Sequence, residues 1–300
     1  MSEDNIMCAS CGIAEVDDVQ LKKCADCDLV KYCSEKCQGE HKLQHKEACK
    51  KRAAELRDEL LFKVPESSHR GDCPICMMPL PLDLSKSITK VCCSIIICDG
   101  CNYANHKREF EERRDRPTCP FCRKPAPRKG TGELEKCSRD RIEANDPVAM
   151  TQEGAEHEQK GDDIRAIEYY TKAAELGDAD AHYQLAGLYR NGHGVEKDMG
   201  KVIYHLEEAA ISGHPTARCD LGCGEWNDGN AERAMRHFII AANLGHDDSM
   251  KMLMAAYRGG LVSKEELAAA LRAHHAAVDA TKSPQRDAGE EFFRNLGRKF

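Results

Sequence analysis

The sequence predicts a multi-domain chain: two small metal-held fingers followed by an all-α solenoid of helix-hairpin repeats. Three observations carry this. Fifteen of the 18 cysteines lie within the first 122 of 300 residues, and they fall in closely spaced pairs arranged in two consecutive frames. Beyond them cysteine nearly vanishes, and an Ala-Ala-x-x-Gly element recurs with its glycine at 177, 213 and 245. Only 5% of residues are aromatic and 32% are charged, so units held by metal or by repetition fit better than one large core.

The first frame runs Cys8-x2-Cys11, Cys24-x2-Cys27, Cys33-x3-Cys37 and His45-x3-Cys49. Two residues between cysteines let both thiolates reach one ion from a tight turn. Tetrahedral zinc closes with four sulfur or imidazole ligands, so eight paired ligands imply two structural zinc sites. Cys33/Cys37 and His45/Cys49 are each i,i+4, one face of a helix whose first turn begins near Tyr32. A cross-braced topology gives Cys8, Cys11, Cys33 and Cys37 to one zinc, and Cys24, Cys27, His45 and Cys49 to the other. Across residues 8–49 this pattern, with Tyr32-Cys33-Ser34-x2-Cys37-Gln38-x2-His41-x3-His45-Lys46-x2-Cys49, resembles the MYND zinc finger. The resemblance implies a protein-interaction module, several of which bind proline-containing peptides. The family often places Trp where this chain has Lys42, and an ammonium cannot supply the flat apolar platform of an indole. His41 is expected to pack rather than to ligate. The finger is bounded at 1–50, and residues 51–68 form a helical linker with Ala53, Leu56 and Leu60 on one stripe, broken by Pro65-Glu66-Ser67-Ser68.

The second frame runs Cys73-x2-Cys76, Cys92-Cys93, Cys98-x2-Cys101 and Cys119-x2-Cys122, within a domain drawn at 69–124. Cys73-Pro74-Ile75-Cys76 and Cys119-Pro120-Phe121-Cys122-Arg123 resemble the opening and closing pairs of a RING finger. The resemblance implies two further zinc ions. Cys73, Cys76, Cys98 and Cys101 would hold one, and Cys93, Cys119, Cys122 and a fourth ligand the other. The family's usual histidine falls on Ile95, which cannot ligate. Cys92 is the substitute, with His106 as the alternative. The family implies a ubiquitin-conjugating enzyme as partner, contacted through positions matching Ile75, Pro120 and Arg123. The densely charged stretch 102–118 and the atypical fourth site speak for a RING-like brace or docking surface instead.

Residues 125–146 are a linker by composition, opening with Pro125-Ala126-Pro127. After it, Ala173-Ala174-Glu175-Leu176-Gly177, Ala209-Ala210-Ile211-Ser212-Gly213 and Ala241-Ala242-Asn243-Leu244-Gly245 stand 36 and 32 residues apart. Seven residues before each glycine lies Tyr170, Leu206 or Phe238; eight after it lies Leu185, Leu221 or Leu253. That registration reads helix, glycine cap, helix. With Gly192-His193-Gly194-Val195-Glu196-Lys197 these elements resemble Sel-one-like repeats, relatives of the tetratricopeptide class, over 147–280. The resemblance implies an α-solenoid with a concave partner surface. Residues 281–300 are a tail. Cys219 and Cys223 are packing thiols, Cys137 a linker thiol, and His274-His275 solvent-facing.

Charge narrows the partners. Residues 1–130 carry 23 Lys+Arg against 21 Asp+Glu, and residues 131–300 carry 21 against 30. Zinc on four thiolates adds −2 and zinc on three thiolates with one imidazole adds −1, which takes residues 1–130 from +2 to −5. No basic face remains for nucleic acid. No apolar run suits a membrane and none suits a secretory signal, so the abundant thiols point to a reducing compartment, cytoplasmic or nuclear. No Gly-rich phosphate loop or catalytic triad order is present. Two readings follow: a zinc-binding scaffold for other proteins, and a RING-type ubiquitin ligase whose solenoid selects substrate.

Overall fold

A computed structural model describes residues 7–15, 20–113, 116–128 and 130–296. The chain divides between Lys63 and Val64 into two units.

In the first unit β1 (Lys22–Lys23) and β2 (Lys31–Tyr32) form a short antiparallel ladder with Lys22 opposite Tyr32. Helix α1 (Glu35–Leu61) starts at Ser34, whose hydroxyl accepts the Cys37 N–H, with Glu35 in the first turn complementing the helix dipole. It runs 27 residues unbroken, so the helical turn expected at Cys33 and the linker helix expected after residue 50 are one element. Its sequence holds no proline and one glycine, and is rich in Lys, Glu, Ala and Leu, which favour helix. The buried cluster is Cys8, Leu21, Cys24, Cys27, Tyr32 and Cys37. A core so small and so rich in cysteine cannot hold a fold by apolar burial alone.

The second unit opens with the second cysteine-rich module. Strands β3 (Ser87–Lys90) and β4 (Ile95–Cys98) pair antiparallel from Ser87↔Cys98 to Lys90↔Ile95. Helix α2 (Asp99–Glu111) follows directly, its first turn capped by the Cys98 sulfur accepting from the Cys101 N–H. The charged stretch beyond Asn102 is not all solvated. Glu109 is buried and accepts from the Thr118 N–H (2.9 Å) and hydroxyl (2.5 Å), while the Asn105 amide donates to the Thr118 carbonyl (3.0 Å). These bonds fix the chain entering Cys119.

Nine helices, α3 (Glu133–Glu143), α4 (Pro147–Gln159), α5 (Asp163–Glu175), α6 (Ala179–Asn191), α7 (Met199–Ile211), α8 (Pro215–Asn227), α9 (Ala231–Asn243), α10 (Asp247–Arg258) and α11 (Lys264–Ala280), stack as antiparallel hairpins in the described part of this unit, and α12 (Pro284–Asn295) follows them. The joint between hairpins repeats. Gly177, Gly213 and Gly245 sit at φ +84°, +85° and +88°, and the next residue's N–H returns to the first Ala carbonyl at 2.9–3.1 Å. An L side chain at that φ is strained, which is why the motif demands glycine. The residue after each glycine caps the next helix: Asp178, His214 and His246 accept from the N–H groups of Ala181, Ala217 and Ser249. Asn145 (φ +56°) and Asp146 repeat this joint, with Asp146 N–H on the Arg141 carbonyl (3.1 Å). The segment read as a linker therefore carries α3, a partial repeat whose Asn takes the glycine's place.

The paired alanines are buried, and so are Tyr170 and Phe238. Each ring lies against a glycine of the preceding helix: a Cβ on Gly154 would stand 2.8 Å from the Tyr170 ring, and one on Gly222 2.7 Å from Phe238. Nine residues past Gly177, the equivalent position is Ala186, and there the large residue is the smaller Leu206. Gly→Ala in a helix interior ordinarily stabilises by about 0.5–1 kcal/mol. Gly222→Ala is expected to destabilise instead, by about 1–3 kcal/mol through overpacking. Adding Phe238→Leu should recover part of the loss, since the pair then copies the middle repeat. Denaturant melts of the single and double variants check this; a stabilising Gly222→Ala would refute the packing.

The histidine caps make stability depend on pH. An imidazole accepts the cap hydrogen bond only while Nδ1 is unprotonated. Burial lowers the pKa of His214 and His246 below the ordinary value. The unfolded chain then takes up protons first, so the caps contribute fully above about pH 6.5 and progressively less as pH falls from there. His246→Asp should match wild type near pH 7.5. At pH 5 it should exceed it by about 1 kcal/mol, the worth of one cap. Thermal melts at both pH values test this, and parallel pH slopes would count against it.

Helix α12 occupies the segment read as a tail. Ser283 accepts the Arg286 N–H and Pro284 stands at the first helical position, a capping signal. The helix packs on α2 with Tyr103 against Phe292 (4.9 Å). His274, expected in solvent, is buried and bonds Asp247 (3.0 Å), whereas His275 is exposed. Cys219 is buried in the α8–α11 core, and burial pushes its thiol up to about 11.

Candidate metal centres

Four clusters gather the sixteen residues expected to bind metal. They are Cys8, Cys11, Cys33, Cys37; Cys24, Cys27, His45, Cys49; Cys73, Cys76, Cys98, Cys101; and Cys92, Cys93, Cys119, Cys122. In each, the ligand atoms lie within 4.8 Å of one another. First and third pairs combine, as do second and fourth, so both modules are cross-braced.

Three of the pairs are presented by one local device. Cys8, Cys73 and Cys119 each donate their N–H to the carbonyl five residues on, at 2.8–2.9 Å, and accept from the N–H four residues on. The fourth residue is left-handed in every case: Gly12 at +75°, Met77 at +55° and Arg123 at +61°. Cys24 uses a variant of the same turn, closed by Val30 and Asp28. Cys37, His45 and Cys49 instead stand on α1. His41, on the same helix, shares a hydrogen bond with the Tyr32 hydroxyl (3.1 Å) and stacks on His45, as packing and not ligation requires.

The adjacent pair Cys92-Cys93 sits on the β3–β4 turn. Cys93 and Ser94 both return their N–H groups to the Lys90 carbonyl, with Ser94 at φ +54°. This helical turn splays consecutive side chains and puts both sulfurs beside the last pair: Cys92 to Cys122 is 3.4 Å and Cys93 to Cys119 is 3.8 Å. His106 lies outside the cluster, exposed and edge-on to Phe293.

The geometry fits zinc. Arms of about 2.3 Å make a tetrahedron with sulfur–sulfur edges of about 3.8 Å. The observed separations include 3.6 Å (Cys11–Cys33), 3.5 Å (Cys33–Cys37), 3.7 Å (Cys24–Cys49) and 3.8 Å (Cys76–Cys98). All are far beyond a disulfide bond of about 2.05 Å, and the cysteines are free thiols. Electrostatics agrees. Hydrogen bonds from the backbone around Cys11 and Cys33 bring the Cys8 thiol down to about 6, while the sulfurs of Cys37 and Cys11 push Cys33 up to about 12. Hydrogen bonds from Cys101 and Cys98 hold Cys73 far below the usual thiol range, and the same trio drives Cys101 far above it. Burial pushes Cys49 up to about 12 and Cys93 up to about 11. One thiol of a quartet ionises readily and its neighbours then resist, so four thiolates need a cation among them.

Sequence reasoning missed the residues that brace the third cluster. Arg286 of α12 is buried and donates to the Cys76 sulfur (3.3 Å) and to the carbonyls of Met78 (3.0 Å), Pro79 (2.6 Å) and Thr281 (2.8 Å). Gln285 donates to the Gly100 carbonyl (3.1 Å). Such outer contacts orient ligands and temper the charge on a thiolate. The Ser283-Pro284 start of α12 is the one signal of them that the sequence carries.

A fifth group, His69, Asp180 and His214, also has its ligand atoms within 4.8 Å. Its protonation argues against metal. His214 Nδ1 accepts the Ala217 N–H (3.1 Å), so the ring proton sits on Nε2, which faces Asp180 at 3.4 Å. A protonated nitrogen has no lone pair to offer. His69 Nε2 lies 3.2 Å from the same carboxylate oxygen, its ring stacked on His214 at 4.3 Å, and its backbone N–H donates to the Gly213 carbonyl (3.1 Å). Desolvation works to raise the Asp180 carboxyl, but the two imidazole donors outweigh it and hold it far below the usual range. The group is a hydrogen-bonded clasp between the chain entering the second module and the solenoid.

Comparison with known proteins names two of these parts. Residues 8–49 match the MYND finger, and residues 150–178, 179–214 and 223–246 match the Sel1 repeat. The chain thus joins a MYND-type zinc finger to a Sel1-repeat solenoid. Chitin synthase regulatory factor 4 of Schizosaccharomyces pombe is 31% identical over 86 residues, which is 28% of this chain and 14% of that protein. Two solved structures are similar. A protective antigen of uropathogenic Escherichia coli displaying an SLR fold is 25% identical, with TM-score 0.43 over 50% of this chain and 34% of the other. A Sel1 repeat protein from Oxalobacter formigenes is 21% identical, with TM-score 0.44 over 66% and 86%. No helix among the described residues is long and apolar enough to cross a membrane.

Proposed function

We propose that this protein is a zinc-built scaffold for protein–protein interaction, binding four zinc ions, two in the MYND finger (1–50) and two in a RING-like module (69–124), with the repeats as its larger partner surface. The observation that carries this reading is that every cluster is complete. Each holds four protein ligands and leaves no open coordination position, the mark of a structural rather than a catalytic zinc. Cys92 is the sixteenth ligand. Elemental analysis should find four zincs in the wild type, three in Cys92→Ser and four in His106→Ala; the reverse pattern would move the site to His106.

A second reading, a RING-type ubiquitin ligase, draws support from Ile75 and Phe121, 41% and 47% exposed between their cysteines and free to meet a conjugating enzyme. A single-turnover discharge assay with a panel of ubiquitin-conjugating enzymes separates the two. The scaffold reading expects no discharge. Autoubiquitination that Ile75→Ala and Arg123→Ala abolish, with zinc content unchanged, would establish the ligase. Arg123 also holds a left-handed backbone position, so its variant needs that zinc control.

A further inference from the structure

The second unit contains a cleft of 540 Å³ that the metal clusters and the repeat motif do not account for. Segment 66–71, the loop after Met78, the ends of α9 and α11 and the start of α12 wall it. Its volume falls within the range of small-ligand clefts, about 300–1,000 Å³, room for a few residues of extended chain. Leu80, Leu82, Leu244 and Val278 give it an apolar lining.

Its charge is one-sided. Six carboxylates line it, those of Glu66, Asp83, Asp99, Asp247, Asp287 and Glu290, against Lys86, Lys282 and Arg286. The cations are already engaged: Lys86 with Glu290 (3.1 Å), Lys282 with Asp279 (2.9 Å), and Arg286 with three carbonyls and the Cys76 sulfur. Asp83 uses one oxygen on the Ser85 N–H and hydroxyl. Glu66 and Asp287 are exposed, and among the described residues Asn243 Oδ1 is a buried acceptor without a donor. Arg286 Nε is buried and likewise unmet.

We infer that this cleft binds a peptide segment of a partner protein that presents an Arg or Lys side chain flanked by apolar residues. The cation would meet Glu66 and Asp287, and the flanking side chains would cover the Leu80–Val278 lining. Complementary charge of this kind selects the partner and speeds encounter more than it adds raw affinity. The inference rests on the scaffold reading only in taking a protein as ligand, and the ubiquitin discharge assay judges that reading separately.

The probes are two fluorescein-labelled, end-capped pentapeptides, Pro-Leu-Arg-Leu-Pro and its Glu counterpart, titrated against the full-length zinc-loaded protein by fluorescence polarisation. The Arg peptide should bind at least about tenfold more tightly, and its binding should weaken as salt screens the carboxylates. Glu66→Gln with Asp287→Asn should erase the discrimination while zinc content and melting stay unchanged. Lys282→Ala, which removes a cation from the rim, should tighten the Arg peptide. Equal binding of the two peptides, or discrimination that survives the double substitution, would overturn the assignment. Glu66→Gln alone, outside any helix, serves if the double variant melts early.

Discussion

Removing zinc from the native protein is expected to unfold the first unit's finger and the second module together while leaving the repeats helical. A structural zinc contributes an apparent binding energy of about 10–16 kcal/mol in small finger peptides. The buried cluster of the first unit is largely its own cysteines, and that of the second module is Cys73, Leu80, Ile97, Cys98 and Cys101. Without an ion, nothing holds the four ligands of each cluster together at the centre of its core. The repeat cores, built on Tyr170, Leu185, Phe238 and Leu253, contain no ligand. After chelation, far-ultraviolet circular dichroism should retain the signal of α4–α11, and amide exchange should rise across residues 20–61 and 72–125. It should also rise across α12, because its anchors are the Cys76 sulfur and the turn behind it. Collapse of the whole helical signal would mean that the solenoid depends on the metal. An α12 that stayed protected would deny the coupling through Arg286.

How much of this is legible in the sequence depends on how local each signal is. Cysteine pairs two apart, and an Ala-Ala-x-x-Gly joint that recurs in register, are written within a few neighbouring residues, so the fingers and the solenoid stand out. The substitution of Asn145 for the glycine hides α3, because only its left-handed backbone reveals the equivalence. His214 and His246 hide as caps because Asp178 does the same work with a commoner residue. Whether Cys92 or His106 joins the last cluster turns on the path of a four-residue turn, which spacing does not specify. Nothing local announces that Arg286 reaches a ligand 210 positions earlier, although Ser283-Pro284 does announce a helix. Buried Glu109 and His274 elude the sequence for the same reason: charge predicts exposure until a distant partner meets it.

Gly289→Ala is expected to detach α12 from α2 and to cost far more than a methyl added at an uncrowded helical glycine. A Cβ at Gly289 would stand 2.6 Å from the Asp99 carbonyl oxygen and 2.8 Å from the Gly100 nitrogen. The facing glycine is also tight, since a Cβ on Gly100 would meet the Arg286 Cα at 2.9 Å. These neighbours are backbone, so no rotamer change relieves the clash and the helix itself must move. Overpacking costs about 1–3 kcal/mol, and the displaced Arg286 would lose charged hydrogen bonds worth about 1.5–3 kcal/mol apiece in a buried setting. A total near 3 kcal/mol or more should lower the melting temperature of the second unit by about 6–12 °C, given the usual 2–4 °C per kcal/mol at this size. Competition with a chelator should strip the Cys76 cluster faster than in wild type. At Gly39 in α1 and Gly187 in α6 an added methyl would find nothing within 4 Å, so Gly39→Ala and Gly187→Ala should be neutral or stabilising. If Gly289→Ala behaved like those two controls, with zinc loss unchanged, the close crossing of α12 on α2 would be wrong, and with it the brace on the third metal cluster.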